Sequence, residues 1–415
     1  MTRTVDLAPK PKRGVVDPAL IGILAAALVA RWAASHLAGG DLLSRQWEYE
    51  DVAMNLLSGN GFVGSFYDTP YRALILPFYP VLCAVVYWLV GHPSLVAIQL
   101  VQAAAVVPAG WFAYALGSEL GGRRAGLLAA LGVTFHPALM LFSLRRHALW
   151  VDAVIFLMIL WATFRARRSV RLSQSTALGA LFGFGLLSRT TIAVFMLVAC
   201  GWLVWQWGKP LRVSLPNVAV ILGVGLLVPA PWLVRNAVVL HRPVGFISIT
   251  PYQLWIGNNP SATGGALAPD GTGMDSTAPI LVEAARGARG ELEQQDIFWH
   301  AAVTYIASNP GRTVLNYARK FRSFLFWSKQ TGAWYPEWFR GAYQVFYLVL
   351  LCCATIGAYR LAQSGNWAAV VLCVCFVLSV GVVQSIFFVE GRHRWEVESG
   401  LVILAACGIG WRRSK

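Results

Sequence analysis

Apolar stretches of membrane-spanning length, separated by short basic loops, set the pattern of this chain. They lie near residues 18–37, 94–117, 125–143, 149–164, 174–188, 190–207, 216–235, 341–360, 367–389 and 399–411. Most approach the roughly 20 apolar residues that a helix needs to cross about 30 Å of hydrocarbon. Lys and Arg gather between them: in the N-terminal tail (Lys10, Lys12, Arg13), at Arg123–Arg124, from Arg165 to Arg171, from Lys209 to Arg212, at Arg360, and at Arg412, Arg413 and Lys415. Assigning those clusters to the cytosol gives about ten crossings with both termini cytoplasmic. The first run is long for a signal-peptide apolar region and is read as an uncleaved helix.

One apolar run breaks the alternation. Counting residues 73–91 as a crossing would reverse every later basic loop, and Pro77 and Pro80 interrupt helix hydrogen bonding. The run is therefore expected to be buried at the outer face or re-entrant, covered by protein or lining a wet cavity. The domain reading is a cytoplasmic basic tail (1–17), an N-terminal transmembrane module (18–235) with a first outer loop (38–93), a second outer loop (236–340), and C-terminal transmembrane helices (341–415). The second loop opens on Ile256-Gly257-Asn258-Asn259-Pro260 and holds a flexible stretch from Ala268 to Pro279. An amphipathic helix is expected at 281–308. A basic, aromatic segment from Arg312 to Lys329, with Arg319, Lys320 and Arg322 among Phe321, Phe324, Phe326 and Trp327, suits an interfacial helix near lipid phosphates.

Composition agrees with a membrane protein. Of 415 residues, 57% are hydrophobic and only 13% charged, against roughly 25% charged in soluble domains. The net charge of +15 does not indicate nucleic acid, because the basic residues sit in the inter-span loops, where membrane topology and anionic headgroups account for them. The cysteines fall within apolar segments and show no zinc spacing; they read as small hydrophobes. No Walker loop, HExxH or GxSxG is present. An Ala-, Gly- and Arg-rich composition suggests a bacterial plasma membrane.

Acidic residues are scarce, 19 against 34 basic ones, yet three fall together in Trp47-Glu48-Tyr49-Glu50-Asp51. On a helix Glu48 and Asp51 share a face. Crowded like charges raise one pKa, which suits a general base; the plainer alternative is a solvated helix start. Asp152, near the outer end of an apolar run and preceded by Arg145, Arg146 and His147, is a candidate because ionisable groups in spans are unfavourable; an interfacial pair with a nearby Arg is the alternative. Arg189, Arg235, Arg392 and Arg394 fall at outward turns. Arginine suits phosphate in its fork geometry, although snorkelling, or pairing with Glu390, Glu396 or Glu398, would also explain some of them.

WEYEDVAMNLLSGNGF (47–62), Pro77-Phe78-Tyr79-Pro80, the His136-Pro137-to-Asp152 segment, LLSRTT (186–191), PAPWLVRN (229–236), WIGNNPSATGG (255–265) and EGRHRWE (390–396) together resemble the GT-C superfamily of membrane glycosyltransferases. The resemblance is to the protein O-mannosyltransferase and lipid A aminoarabinose transferase group. It implies an all-α polytopic fold with interfacial helices in both outer loops. It also implies an enzyme that transfers a sugar from a polyprenyl-phosphate donor to an acceptor hydroxyl outside the cytosol, with inversion. The acceptor would be a glycan, lipid or protein. By this resemblance Glu48 is the first choice for the catalytic base. Family members often carry Asp or an Asp-Glu pair before the Tyr, where this chain has Trp47-Glu48, so Glu50 and Asp51 stay open. Asp152 corresponds to the second acid, and Arg72, Arg189, Arg235, Arg392 and Arg394 to donor-phosphate ligands. Tyr49, His147, Asn258 and Asn259 fall on the acceptor or sugar side. No cofactor is required, and a divalent metal remains compatible. The competing readings are a lipid-linked glycan flippase and a ligase or polymerase using diphosphate-linked glycans.

Overall fold

The computed structural model describes residues 17–37, 47–328 and 335–410. The basic tail, residues 38–46 of the first loop, Lys329 and the basic C-terminus lie outside them. Among the described residues the regular structure is helical apart from one hairpin and one isolated β-bridge. In order, the elements are α1 (Pro18–Leu37), α2 (Glu48–Leu57), β1 (Gly64–Phe66), β2 (Thr69–Tyr71), α3 (Phe78–Val90), α4 (Leu95–Ala104), α5 (Val106–Thr134), α6 (Pro137–Phe142), α7 (Leu149–Ala166), α8 (Leu172–Ser188), α9 (Ile192–Trp207), α10 (Leu211–Leu227) and α11 (Ala230–Leu240). The second half holds α12 (Thr250–Gly257), α13 (Pro279–Arg286), α14 (Glu291–Ser308), α15 (Pro310–Leu325), α16 (Glu337–Gln363), α17 (Trp367–Gln384), α18 (Arg392–Trp395) and α19 (Glu398–Gly410).

Each apolar run of the sequence coincides with helix. Among the described residues, five helical stretches are long and apolar enough to cross a membrane, and α10 with α11, bent by 41°, makes a sixth. The larger number of crossings expected from sequence also counts the shorter apolar helices α8, α9 and α19 and both arms of α5. That helix reverses at Gly122 (φ 80°, ψ 178°). A Cβ added to Gly117 would lie 2.9 Å from the Ala125 carbonyl oxygen, and one on Gly126 2.7 Å from that of Tyr114. The arms therefore run antiparallel, and small residues permit their close approach. The second arm stops at Thr134, short of the expected 143. Pro137 has no N–H to continue the ladder and instead opens α6.

Among the described residues, ion pairs and hydrogen bonds gather the basic loops around Arg123, Arg165–Arg171 and Lys209 at one end of the bundle. Arg123 Nε lies 2.6 Å from Asp17 at the start of α1. Arg167 and Arg168 reach Glu119 at 3.1 and 2.7 Å. Trp207 Nε1 donates to the Ala166 carbonyl at 3.0 Å, bringing the end of α9 to the same place. α7 leads away from that end. Its 18 residues put Asp152 near the opposite end of the bundle, over a helix about 27 Å long. Trp150, Phe156, Phe195 and Phe376 are fully buried between these helices.

Three local expectations change. Pro77 and Pro80 do not interrupt the 73–91 run: they stand at the N-cap and first turn of α3, where no intrahelical N–H is needed. The helix expected at 281–308 is two helices, α13 and α14, separated at Gly287–Gly290. The Ala268–Pro279 stretch is ordered by a Leu267–Gly273 bridge and a 3-10 turn, with Ala268 and Met274 buried. The sequence pattern does not announce the β1–β2 hairpin. Tyr67 and Asp68 both take positive φ (49° and 62°), the two-residue turn that matches strand twist.

Candidate functional site

At the end of the bundle opposite the basic loops, four segments distant in sequence converge on a cavity of about 360 Å³. α2 contributes Glu48 and Tyr49, α7 contributes Asp152, the α8–α9 turn contributes Ser188 and Arg189, and the start of α18 contributes Arg392. The other wall is apolar, built from Leu74, Ile75, Leu76, Ile247, Ile249, Ile256 and Phe388. A polar floor under a greasy wall suits a ligand with a charged head and an apolar body.

The floor is organised around Arg189. Its Nε lies 3.3 Å from Asp152 Oδ2 and contacts Glu396 Oε2. Both carboxyl groups are almost fully buried. Ser188 Oγ donates to Asp152 Oδ1, and Thr191 Oγ1 reaches Glu396 Oε1 at 3.5 Å. The LLSRTT turn thus supplies three side chains to two acids. Burial pushes the Glu396 carboxyl up to about 8, against the pull of Arg189 and with a further push from Asp152. Arg392 Nε pairs with Glu390 at 2.8 Å, and its guanidinium lies 5.3 Å from the Trp47 ring centroid. Among the described residues no cation pairs with Glu48.

His147 sits behind the floor, edge-on to Trp47 at 4.7 Å and Tyr49 at 5.4 Å. Its Nδ1 accepts from Leu149 N–H at 3.0 Å. Burial, then the neighbouring Arg392, Arg189 and Arg145, hold its pKa well below the ordinary histidine value. Burial and the nearby Glu48 raise the Tyr49 phenol above its usual range, so it stays protonated.

The remaining sequence candidates lie elsewhere. Glu50 is buried, with Oε1 accepting from Arg146 Nη1 at 2.6 Å and from Tyr87 OH at 3.2 Å; it ties α2 to its neighbours. Asp51 is exposed and does not line the cavity. Arg394 is locked inside the fold: its Nε meets Glu398 at 2.6 Å, its Nη1 the carbonyls of Phe324 and Phe326, and its Nη2 the Tyr343 hydroxyl. Arg235 donates to the carbonyls of Arg72 and Phe62 and stands over the Phe62 and Trp232 rings. Arg72 is exposed and, like Arg235, outside the cavity lining. Asn258 Nδ2 bonds the carbonyls of Leu254 and Ile386, and Asn259 Nδ2 those of Trp255 and Ile256. Both shape backbone next to Ile256. No group of three or more His, Cys, Asp or Glu able to hold a metal occurs among the described residues.

Sequence reasoning misses Glu396 and Ser188 as site residues. It places Glu396 as a partner for Arg392 or Arg394. The available signal is its place between Trp395 and Val397 beside four further charges, Glu390, Arg392, Arg394 and Glu398, although partner choice among Glu390, Glu396 and Glu398 depends on how α18 turns.

Comparison with solved structures places this architecture. The chain superposes on the oligosaccharyltransferase of Archaeoglobus fulgidus in the apo form with TM-score 0.55 and 11% identity, over 94% of this chain and 50% of that one. The same organism's AglB in complex with an inhibitory peptide and a dolichol-phosphate gives TM-score 0.53, 11% identity and the same coverages. ArnT from Cupriavidus metallidurans in the apo state gives 0.42 and 14%, over 94% and 77%. The chain spans about half the length of the oligosaccharyltransferases it matches. The fold is shared with that membrane oligosaccharyltransferase. Within this chain, residues 69–234 match the model of the dolichyl-phosphate-mannose-protein mannosyltransferase family. That segment carries Asp152 and Arg189 but neither Glu48 nor Arg392. No curated protein matches the chain.

Proposed function

We propose that this protein transfers a sugar from a polyprenyl-phosphate donor to an acceptor hydroxyl, with Glu48 as general base. The observation that carries the reading is the convergence of Glu48, Asp152, Arg189 and Arg392 on one cavity with an apolar wall. The leaving group is a phosphate, stable near neutral pH, so departure calls for cations rather than a general acid. Arg392 offers the charge and the fork geometry. Glu48 accepts the acceptor's proton as the hydroxyl attacks the anomeric carbon. The glycosidic bond to phosphate breaks, its electron pair leaves on the phosphate oxygen, and a single displacement inverts the centre, unlike the two-step retaining route. Tyr49, as a protonated phenol, donates a hydrogen bond to a sugar or phosphate oxygen.

Arg189 has a different part in this scheme. With Glu396 protonated near neutral pH, Asp152 and Arg189 form a balanced pair that fixes the cavity floor and directs Asp152 toward the acceptor. Basic loops mark the cytosolic end of membrane bundles, so the cavity faces away from the cytosol, in the periplasm if the protein is bacterial. A lipid tail would lie along the apolar wall toward the bilayer.

The test is incubation of purified protein with a synthetic polyprenyl-phosphate sugar, measuring free polyprenyl phosphate with and without acceptor. Acceptor-dependent release supports transfer. Transbilayer movement of the donor without release points to a flippase, and turnover only with diphosphate-linked glycans to a ligase or polymerase.

A further inference from the structure

α15 divides into three lengthwise stripes. Asn316, Lys320, Ser323 and Phe324 are buried against the protein. On the outer side, Val314, Leu315 and Ala318 are exposed, Phe321 and Leu325 are half-buried against Gly381 and the core, and beside the exposed apolar residues run Arg312, Arg319 and Arg322. Val314 and Leu315 are each 68% exposed, and Arg312 and Arg319 are exposed, with Arg322 beside them. The helix contains no acidic residue. None of these arginines pairs with a carboxylate among the described residues. An apolar stripe flanked by unneutralised arginines, on a chain with membrane-spanning helices, has a natural complement in an anionic lipid surface.

The buried stripe connects this face to the cavity. Lys320 is 1% exposed, and its Nζ lies 3.2 Å from the Gly257 carbonyl, 3.3 Å from Asn258 Oδ1, 3.2 Å from the Ile386 carbonyl and 2.8 Å from that of Phe387. Those backbone segments continue directly into Ile256 and Phe388 of the cavity wall. They meet closely because residue 257 is glycine: a Cβ there would overlap the Phe387 carbonyl oxygen.

We propose that α15 lies in the headgroup layer and binds anionic glycerophospholipid through Arg312, Arg319 and Arg322, while Val314, Leu315 and Ala318 enter the acyl boundary. Lys320 then fixes the level of the cavity wall relative to the bilayer. Each arginine near an anionic leaflet strengthens association by about fivefold. The inference concerns bulk lipid rather than the donor, and its test uses no sugar substrate, so its failure would leave the transfer reading untouched.

The full chain is placed in nanodiscs of phosphatidylcholine alone or of phosphatidylcholine mixed with phosphatidylglycerol. Hydrogen exchange across 310–325 and the thermal midpoint are recorded. In the wild type, phosphatidylglycerol slows exchange in that segment severalfold and raises the midpoint, and added salt reverses much of the gain. Arg312→Gln/Arg319→Gln/Arg322→Gln removes the phosphatidylglycerol effect while matching wild type in phosphatidylcholine. The corresponding triple lysine variant keeps it. Arg165→Gln/Arg168→Gln/Arg171→Gln, at the other end of the bundle, keeps the slowed exchange in 310–325. Persistence of the full response in the glutamine variant, or its loss in the lysine variant, overturns the proposal. So does equal protection by water-soluble dextran sulfate in phosphatidylcholine discs, which would make the partner a soluble polyanion.

Discussion

Arg189 Nε lies 3.3 Å from Asp152 Oδ2 inside the fold, and the same nitrogen touches Glu396. One guanidinium therefore serves two acids. Removing it strands two buried carboxyl groups, and breaking a buried pair from one side typically costs about 3–5 kcal/mol. Arg189→Gln is expected to lower the thermal midpoint in detergent strongly. Adding Asp152→Asn to that variant should recover part of the loss, because the remaining group is no longer charged. Additive losses would show that the two side chains are not coupled.

Glu396 gives a signed pH dependence. Its carboxyl, raised to about 8 by burial, is protonated in the folded chain where the unfolded chain is ionised. Stability from this group therefore declines as pH rises from about 4.3 toward 8 and then levels off. Ionisation near pH 8 also adds negative charge beside Arg189. The wild type is expected to lose activity as pH rises through about 8, and Glu396→Gln should keep activity near neutral pH and lack that alkaline fall. A pH–rate profile unchanged by the substitution would contradict this.

His147 acts in the opposite range. Its folded pKa is depressed, so the folded state resists a proton that the unfolded chain takes up. Stability then falls as pH drops below about 6.5. His147→Asn keeps an acceptor for Leu149 N–H and should flatten the loss between neutral and mildly acidic pH. His393, also buried and depressed, will retain some slope, so partial flattening is expected. An unchanged slope in the thermal midpoint would show that His147 is not the group involved.

Glu48 and Glu50 separate chemistry from architecture. Glu50→Gln weakens the bond from Arg146 and should reduce stability, with donor affinity preserved in whatever protein remains folded. Asp51→Asn, at an exposed position outside the cavity, should be near neutral in both. If Asp51→Asn abolishes turnover while Glu48→Gln does not, the base is Asp51.

Much of the fold was legible because a membrane imposes length and charge rules on every span. The runs at 18–37 and 149–164 reappear nearly unchanged as α1 and α7, and the basic loops around Arg123, Arg165–Arg171 and Lys209 share one end. The site was legible only where geometry left no choice. Asp152 and Arg189 are isolated charges in apolar surroundings, and the fold brings them together. Glu48, Glu50 and Asp51 are adjacent, so their fates depend on helix phase: one turn of α2 sends Glu50 to Arg146 and Glu48 to the cavity. The charges in 390–398 are equally ambiguous in one dimension. Arg392 takes Glu390, Arg394 takes Glu398, and Glu396 goes to Arg189, a partition fixed by the turn of α18. Arg235, Asn258 and Asn259 were ligand candidates through the family resemblance, and Arg235 also through its outward position; their side chains donate to backbone carbonyls that nearby irregular segments leave open.

Donor turnover by Glu48→Gln beside the wild type tests the account most directly. Both proteins are given the same polyprenyl-phosphate sugar and acceptor, and donor binding and polyprenyl-phosphate release are measured together. The account predicts donor affinity close to wild type with release slowed by about a hundredfold or more. Release at the wild-type rate from the Glu48→Gln variant would contradict it.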